Sequence, residues 1–209
     1  MRKADCHVHF YEIYSPEVFL ESAKKNLGSD GILYFTHRYG IEPDWEKIYP
    51  KIETISDGVK RIEGITFVCG YQIVTSEKIE ILNLASNTVI PDGLSATEAL
   101  TKVDGIPVLP WSPGKWLGKR GEIIKSLDAY GGKILYKDFL VDFERFKGIL
   151  PGTDPLPRKG EERLVGRIGV EGEGDINSLE SARRFLKSAS LEFGSQLTLA
   201  ESVFRYFLC

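Results

Sequence analysis

Apolar positions along this chain come in short runs separated by turn residues, and the runs alternate between strand and helix periods. Residues 3–10 form the first run, short enough for one strand. In a regular strand Asp5, His7 and His9 face one way and Cys6, Val8 and Phe10 the other. Ser15-Pro16-Glu17 then supplies an N-cap, a first-turn proline and a first-turn acid. The helix they open carries Val18, Phe19, Leu20 and Ala23 and closes near Gly28. After Asp30-Gly31, the run Ile32 to Thr36 has the length of a buried strand and ends at His37. Strand, helix and strand in this order predict a parallel β-α-β unit with a right-handed crossover.

The pattern continues in the same manner. Trp45, Ile48, Ile52 and Ile55 keep a helical interval, which predicts a helix over 42–55 that Pro50 kinks. Strands are predicted over 65–69, with 70–74 continuing that strand or turning out of it, and over 78–85. Ser95, with Glu98 three residues on, forms a capping box that opens a short helix ending near Val103. A strand over 106–111 carries proline inside it. Beyond the loop 112–116 lie a helix to about 130 and a sixth strand over 133–136. A seventh strand over 148–154 ends in Asp154, residues 155–175 read as a long loop, and helices over 178–189 and 198–207 close the chain. Strands alternating with helices predict an α/β domain. A distorted (β/α)7-8 TIM-like barrel formed by one domain over 1–209 fits best, because His37, Trp111 and Asp154 all end strands, which is the active-site rim of a barrel. An open sheet is the alternative fold. Neither a GxGxxG nor a GxxxxGK[ST] fingerprint is present.

Composition narrows the class without naming a chemistry. The chain has 209 residues, 42% of them hydrophobic and 27% charged, with a net charge of −3. That size can bury one full core, and the balance is that of a globular protein. The absence of a basic excess argues against nucleic acid and an anionic membrane as partners. No run approaches a membrane span or a signal peptide. Cys6, Cys69 and Cys209 are too few and too scattered for a disulfide framework, so a cytoplasmic location is expected.

The candidate chemistry lies at the predicted strand ends. His7 and His9, two residues apart on a strand, hold two imidazoles on one side and can grip one metal ion. The third histidine, His37, and the carboxylate of Asp154 complete a set of His7, His9, His37 and Asp154 suited to zinc, or to manganese or iron with added water. A metal there activates water, with Asp154 as ligand or base and His37 as a second catalytic group. Arg38, Lys115, Trp111 and Arg158 are the candidate substrate-binding residues; the two loops carrying Lys115, Lys119, Arg120 and Arg158, Lys159, Arg163, Arg167 suit a phosphate or carboxylate group.

Asp5-Cys6-His7-Val8-His9-Phe10 resembles the first motif of metal-dependent hydrolases on TIM-like barrels, the amidohydrolases and the PHP phosphoesterases. Thr36-His37 is similar to the second PHP motif, and Gly152-Thr153-Asp154-Pro155 to the closing Gly-Ser/Thr-Asp of amidohydrolases. The chain departs from those patterns. Gln72 stands where PHP proteins have a glutamate, Pro110-Trp111-Ser112-Pro113 lacks a His-Pro, and Leu156 occupies the place of the last histidine. The resemblance therefore implies one divalent metal, or two if Glu77 or Glu80 contributes, in place of a trinuclear centre.

These observations lead to a metal-dependent hydrolase of a small anionic substrate, with the Gly-Thr-Asp ending leaning toward a C–N or ester bond. Two alternatives stay open: a PHP-type phosphoesterase, and a non-catalytic relic barrel acting as a binding or regulatory protein. The expected partners are a small anionic molecule, no nucleic acid and no membrane. The apolar helix over 198–207 is compatible with a homo-oligomer or with a place in a larger assembly.

Overall fold

The computed structural model describes residues 1–42, 49, 51–110, 135–137, 152–189 and 191–194. The first elements follow the hydrophobic pattern closely. Strand β1 (Arg2–Val8) leads into helix α1 (Pro16–Leu27), where the Ser15 hydroxyl accepts from the Val18 amide at 3.3 Å and Gly28 ends the helix at φ 89°. Helix α1 buries Phe19, Leu20, Ala23 and Leu27 and leads to β2 (Ile32–Phe35), which is buried on both faces and parallel to β1.

The chain then departs from the expected alternation. In place of a helix reaching residue 55, β3 (Glu53–Ser56) and β4 (Val59–Ile62) form an antiparallel hairpin, followed by β5 (Ile65–Val68). The reason lies in Asp57-Gly58: Gly58 adopts φ 74°, the conformation a tight hairpin turn requires, and it outweighs the helical spacing of Ile48, Ile52 and Ile55. Trp45 and Ile48 lie outside the described residues.

Two sheets result. The first has the order β11-β10-β1-β2-β5-β4-β3, where β10 (Gly169–Gly172) and β11 (Leu191–Phe193) are antiparallel additions on the far side of β1. The second has the order β6-β7-β8-β9, from β6 (Gly70–Val74), β7 (Glu80–Leu84), β8 (Ile106–Pro110) and β9 (Leu135–Lys137). The sheets meet at one bridge: the His37 amide donates to the Gly70 carbonyl at 3.0 Å, and the Gln72 amide to the His37 carbonyl at 3.1 Å. Gly70 permits the junction, because a Cβ there would lie 2.5 Å from the Phe35 carbonyl oxygen.

The architecture is thus mixed α/β, and the described residues form no closed barrel. The antiparallel pairs β6–β7 and β7–β8 have no helix between parallel strands, as a regular (β/α) barrel needs. The expected long loop over 155–175 contains a 3₁₀ helix (Glu161–Leu164) and all of β10, and residues 152–154 are irregular where a strand end was expected. Helix α2 (Ala96–Lys102) has the expected Ser95–Glu98 capping box, and α3 (Leu179–Ser188) packs Ala182, Phe185 and Leu186 into the core beside Tyr34 and Val170.

One irregularity in β1 re-aims the histidines. Asp5 pairs with Leu33 and Val8 with Phe35, so β1 carries one residue more than β2 across this interval. Such a bulge reverses the alternation of faces. Ala4 and Cys6 accordingly pack with Ile32 and Tyr34, whereas Val8 and Phe10 pack with Leu33 and Phe35. Asp5 and the His7–His9 pair, expected on one face, are separated by this shift, while the two histidines keep a common side.

Candidate metal centre

Three side chains converge at the end of β1. His7 Nε2 and His9 Nε2 lie 3.0 Å apart, and Asp154 Oδ1 lies 3.5 Å from the first and 3.8 Å from the second. Both imidazoles are buried, at 1% and 2% exposure, and Asp154 opens to the surface at 14%. A tetrahedral ion with bonds of about 2.0–2.1 Å separates its ligands by roughly 3.3 Å, so these three atoms stand close to the edges such an ion requires. Two imidazole nitrogens and one carboxylate oxygen are also a chemically suitable set for zinc, iron or manganese. Among the described residues this trio is the group able to hold a metal ion.

Local structure explains how Asp154 reaches histidines 145 or more positions away in sequence. The Asp154 amide donates to the His7 carbonyl at 2.8 Å. Gly152 sits so close to β1 that a Cβ would lie 2.4 Å from the His7 nitrogen, so only glycine fits. Asp154 itself takes φ 45°, a left-handed conformation that aspartate tolerates better than most residues.

Asp5 ties this loop down from behind. Its Oδ1 accepts from the amides of His7 at 3.2 Å and Thr153 at 2.9 Å, and its Oδ2 accepts from the Thr153 hydroxyl and from the Gly166 amide at 2.8 Å. Burial pushes the Asp5 carboxyl up to about 6, against the pull of those four donors. The residue is therefore an anchor for the site's backbone, with its lone pairs already engaged.

Glu42 is the site residue that the sequence pattern does not reveal. Its Oε1 lies 2.8 Å from His9 Nδ1, its side chain is 1% exposed, and its Oε2 is buried with no hydrogen-bond partner among the described residues. Accepting the Nδ1 proton leaves the Nε2 lone pair of neutral His9 directed toward His7 and Asp154, as a metal ligand requires. Burial alone would lower the His9 pKa; the charge and hydrogen bond of Glu42, with Asp154 and Glu80 behind them, raise it overall. The one sequence signal was an acid five residues after His37, behind the end of β2.

The remaining candidates take varied places. His37 is not part of the trio; its Nδ1 lies 3.9 Å from Glu42 Oε2 and its ring packs edge-on to Tyr71. Arg38 donates through Nη2 to Asp92 at 3.2 Å, while its Nε is buried without a partner among the described residues. Arg158 lies four residues past Asp154, partly buried in the loop before the 3₁₀ helix. Lys115 and Trp111 lie outside the described residues, as do Lys119 and Arg120. Glu77, weighed as a second-metal ligand, instead accepts from the Ala96 amide at 3.2 Å at the start of α2. Tyr11 was not singled out from the sequence. Its ring stacks on His9 with centroids 5.6 Å apart and planes 22° apart.

No family profile matches the chain, and no curated protein matches it. Solved structures do. The lesion-specific endonuclease EndoQ of Pyrococcus furiosus superposes with a TM-score of 0.65 at 17% identity, over 93% of this chain and 59% of that one. An endonuclease Q in complex with a 27-mer duplex bearing an abasic lesion at the active site superposes with a TM-score of 0.58 at 16% identity, over 89% of this chain and 56% of that one. PsfC of Pseudomonas syringae matches with a TM-score of 0.55 at 12% identity, over 100% of this chain and 99% of that one. The chain therefore spans somewhat under three fifths of the endonuclease chains it matches.

These likenesses bear on two expectations. Between the two superfamily branches that the first motif resembles, the neighbours share a PHP-like fold, and a TIM-barrel amidohydrolase is only loosely supported. The expectation that nucleic acid is excluded as a partner is overturned, because a protein of this fold is seen with duplex DNA at its active site. The whole-chain charge of −3 does not support that exclusion, because it averages over the surface, whereas phosphate recognition depends on a few local donors and on any bound cation. Among the described residues no helix is long and apolar enough to cross a membrane. Low identity makes the shared property the fold alone.

Proposed function

We propose that this chain is a metal-dependent hydrolase of phosphoester bonds. The observation that carries the proposal is the convergence of His7 Nε2, His9 Nε2 and Asp154 Oδ1 within a few ångströms at a buried strand end. His7, His9 and Asp154 would hold one divalent cation, zinc or manganese; when bound it supplies a Lewis acid and makes water a nucleophile near neutral pH.

The chain's own residues supply the rest. Glu42 fixes the His9 tautomer and ring orientation. Asp154, the most exposed of the trio, is placed to take the proton of the attacking water, with Asp5 and Gly152 fixing its backbone. His37, at the junction of the two sheets, and Arg38, through the Nε left over from its contact with Asp92, would meet the anionic oxygens of the substrate or its leaving group. A phosphoester fits this site better than the amide or carboxylic ester toward which the Gly-Thr-Asp motif leaned. The fold is similar to that of two endonucleases, and His7 and His9 of the trio come from the stretch that resembles the first PHP motif. A small phosphorylated compound and a DNA phosphodiester are both substrates of this class.

The test is hydrolysis by protein loaded with manganese or zinc, offered bis(p-nitrophenyl) phosphate, p-nitrophenyl phosphate and a duplex with one abasic site. Metal-dependent phosphoester cleavage that disappears in Asp154→Asn supports the proposal. Cleavage of an N-acyl amide or carboxylic ester, with every phosphoester untouched, would overturn it.

A further inference from the structure

We propose that Tyr11 is a catalytic hydrogen-bond donor, its hydroxyl binding an anionic oxygen of the phosphoryl group held at the His7–His9–Asp154 site. The inference rests on the phosphoester reading and adds to it a residue that lies outside every motif of the sequence.

The geometry begins with position. Tyr11 follows His9 by two residues beyond the end of β1, and its ring lies along the His9 ring, 5.6 Å away and 22° from parallel. A second contact, edge-on to Tyr14 at 5.4 Å and 85°, also holds the ring. The two contacts leave the hydroxyl as the group with no assigned work. Tyr14, Tyr34 and Tyr49 each donate to a backbone carbonyl, of Leu156, Ala182 and Pro16 respectively. Tyr11 makes no such bond among the described residues, although it is partly buried.

The charge around it explains why a donor belongs there. Asp154, Glu42 and Glu80 all act on His9 and on Tyr11, and Arg38 acts on Tyr11 against them. A phosphoryl group brings two or three further oxygens into this carboxylate-rich pocket. Each oxygen that faces Asp154 or Glu42 is repelled unless a donor meets it. Arg38 is already engaged with Asp92 through Nη2. A phenol is protonated at neutral pH without assistance, so it contributes a donor and adds no charge that would compete with a cation. Carried on the ring that stacks against His9, the hydroxyl is the neutral donor we assign to a phosphoryl oxygen, and such a bond is worth more as charge develops in the transition state.

The experiment compares wild type with Tyr11→Phe, which keeps both ring contacts and removes one oxygen. Manganese affinity is measured first, on metal-free protein, by calorimetry. Binding of inorganic phosphate to the manganese-loaded proteins follows, then kcat and KM on bis(p-nitrophenyl) phosphate. The proposal expects unchanged manganese affinity and melting temperature, phosphate bound roughly tenfold more weakly, and kcat lowered about 10- to 100-fold. Tyr11→Leu, which also removes the ring, is expected to weaken manganese binding in addition, because His9 loses its stacking partner. Equal phosphate binding and equal kcat in wild type and Tyr11→Phe would overturn the assignment while leaving the phosphoesterase reading intact. Wild type that binds manganese but neither phosphate nor phosphoester would overturn both. Loss of manganese affinity in Tyr11→Phe would make Tyr11 a structural support of the metal site and also overturn its assignment as a substrate donor.

Discussion

His9 Nδ1 lies 2.8 Å from Glu42 Oε1, and that contact determines which nitrogen of His9 faces His7 and Asp154. The two residues come from segments 33 positions apart in sequence. A glutamine at position 42 keeps an acceptor oxygen and loses the charge that makes the ring more basic. Glu42→Gln is therefore expected to weaken metal binding by about 10- to 100-fold with little change in fold. Metal titration of the two metal-free proteins reads this directly, and equal affinities would show that Glu42 does not orient His9.

The same pair sets a pH dependence. Glu42 raises the His9 pKa above its ordinary value of 6.5, even though burial acts the other way. The stabilisation is fully present below that unfolded value and is lost as pH rises through the higher folded one. Metal-free protein is expected to lose melting temperature across the range above 6.5, and Glu42→Gln to show a flatter profile there. Parallel profiles for the two proteins would contradict the coupling.

Asp5 contributes in a lower window. Its carboxyl is raised from 3.8 to about 6, chiefly by burial. The folded state thus holds the proton more tightly, and stability falls as pH rises from the ordinary carboxylate range through about 6. Asp5→Asn removes that slope but turns an NH2 toward donors on at least one side of the carboxyl, where Thr153 and Gly166 need acceptors. A loss of about 1–3 kcal/mol in urea unfolding is expected at neutral pH. A variant as stable as wild type would mean that the anchor carries no weight.

Gly152 offers a test of how Asp154 is delivered. A methyl group there would collide with the His7 backbone at 2.4 Å, a contact no side-chain rotation relieves. Gly152→Ala is expected to displace the 152–154 segment from β1 and abolish metal binding. The circular dichroism of the strands and helices should persist, because the segment lies outside both sheets. Retained metal affinity in this variant would place Asp154 outside the ligand set.

The parts of this molecule that local chemistry specifies were legible in the sequence. Ser15-Pro16-Glu17 and Gly28 bound α1, Ser95 and Glu98 cap α2, and the β1-α1-β2 unit is parallel as its order demands. His7 and His9 share a side because two-residue spacing survives the bulge that separates them from Asp5. Non-local facts were not legible. The hairpin turn at Asp57-Gly58 competed with a helical spacing and won, β10 joined β1 from residues that carry little hydrophobic pattern, and Glu42 became a partner of His9 through folding of the β2 exit. Net charge could not exclude nucleic acid as a partner, because it carries no position.

The most direct measurement of the central claim is the metal content of purified protein by elemental analysis, beside a His7→Ala/His9→Ala double variant prepared in parallel. The account predicts close to one transition-metal ion per chain in the wild type and none above background in the variant. Wild type that takes up neither zinc nor manganese on incubation, or a variant that retains full stoichiometry, would contradict it.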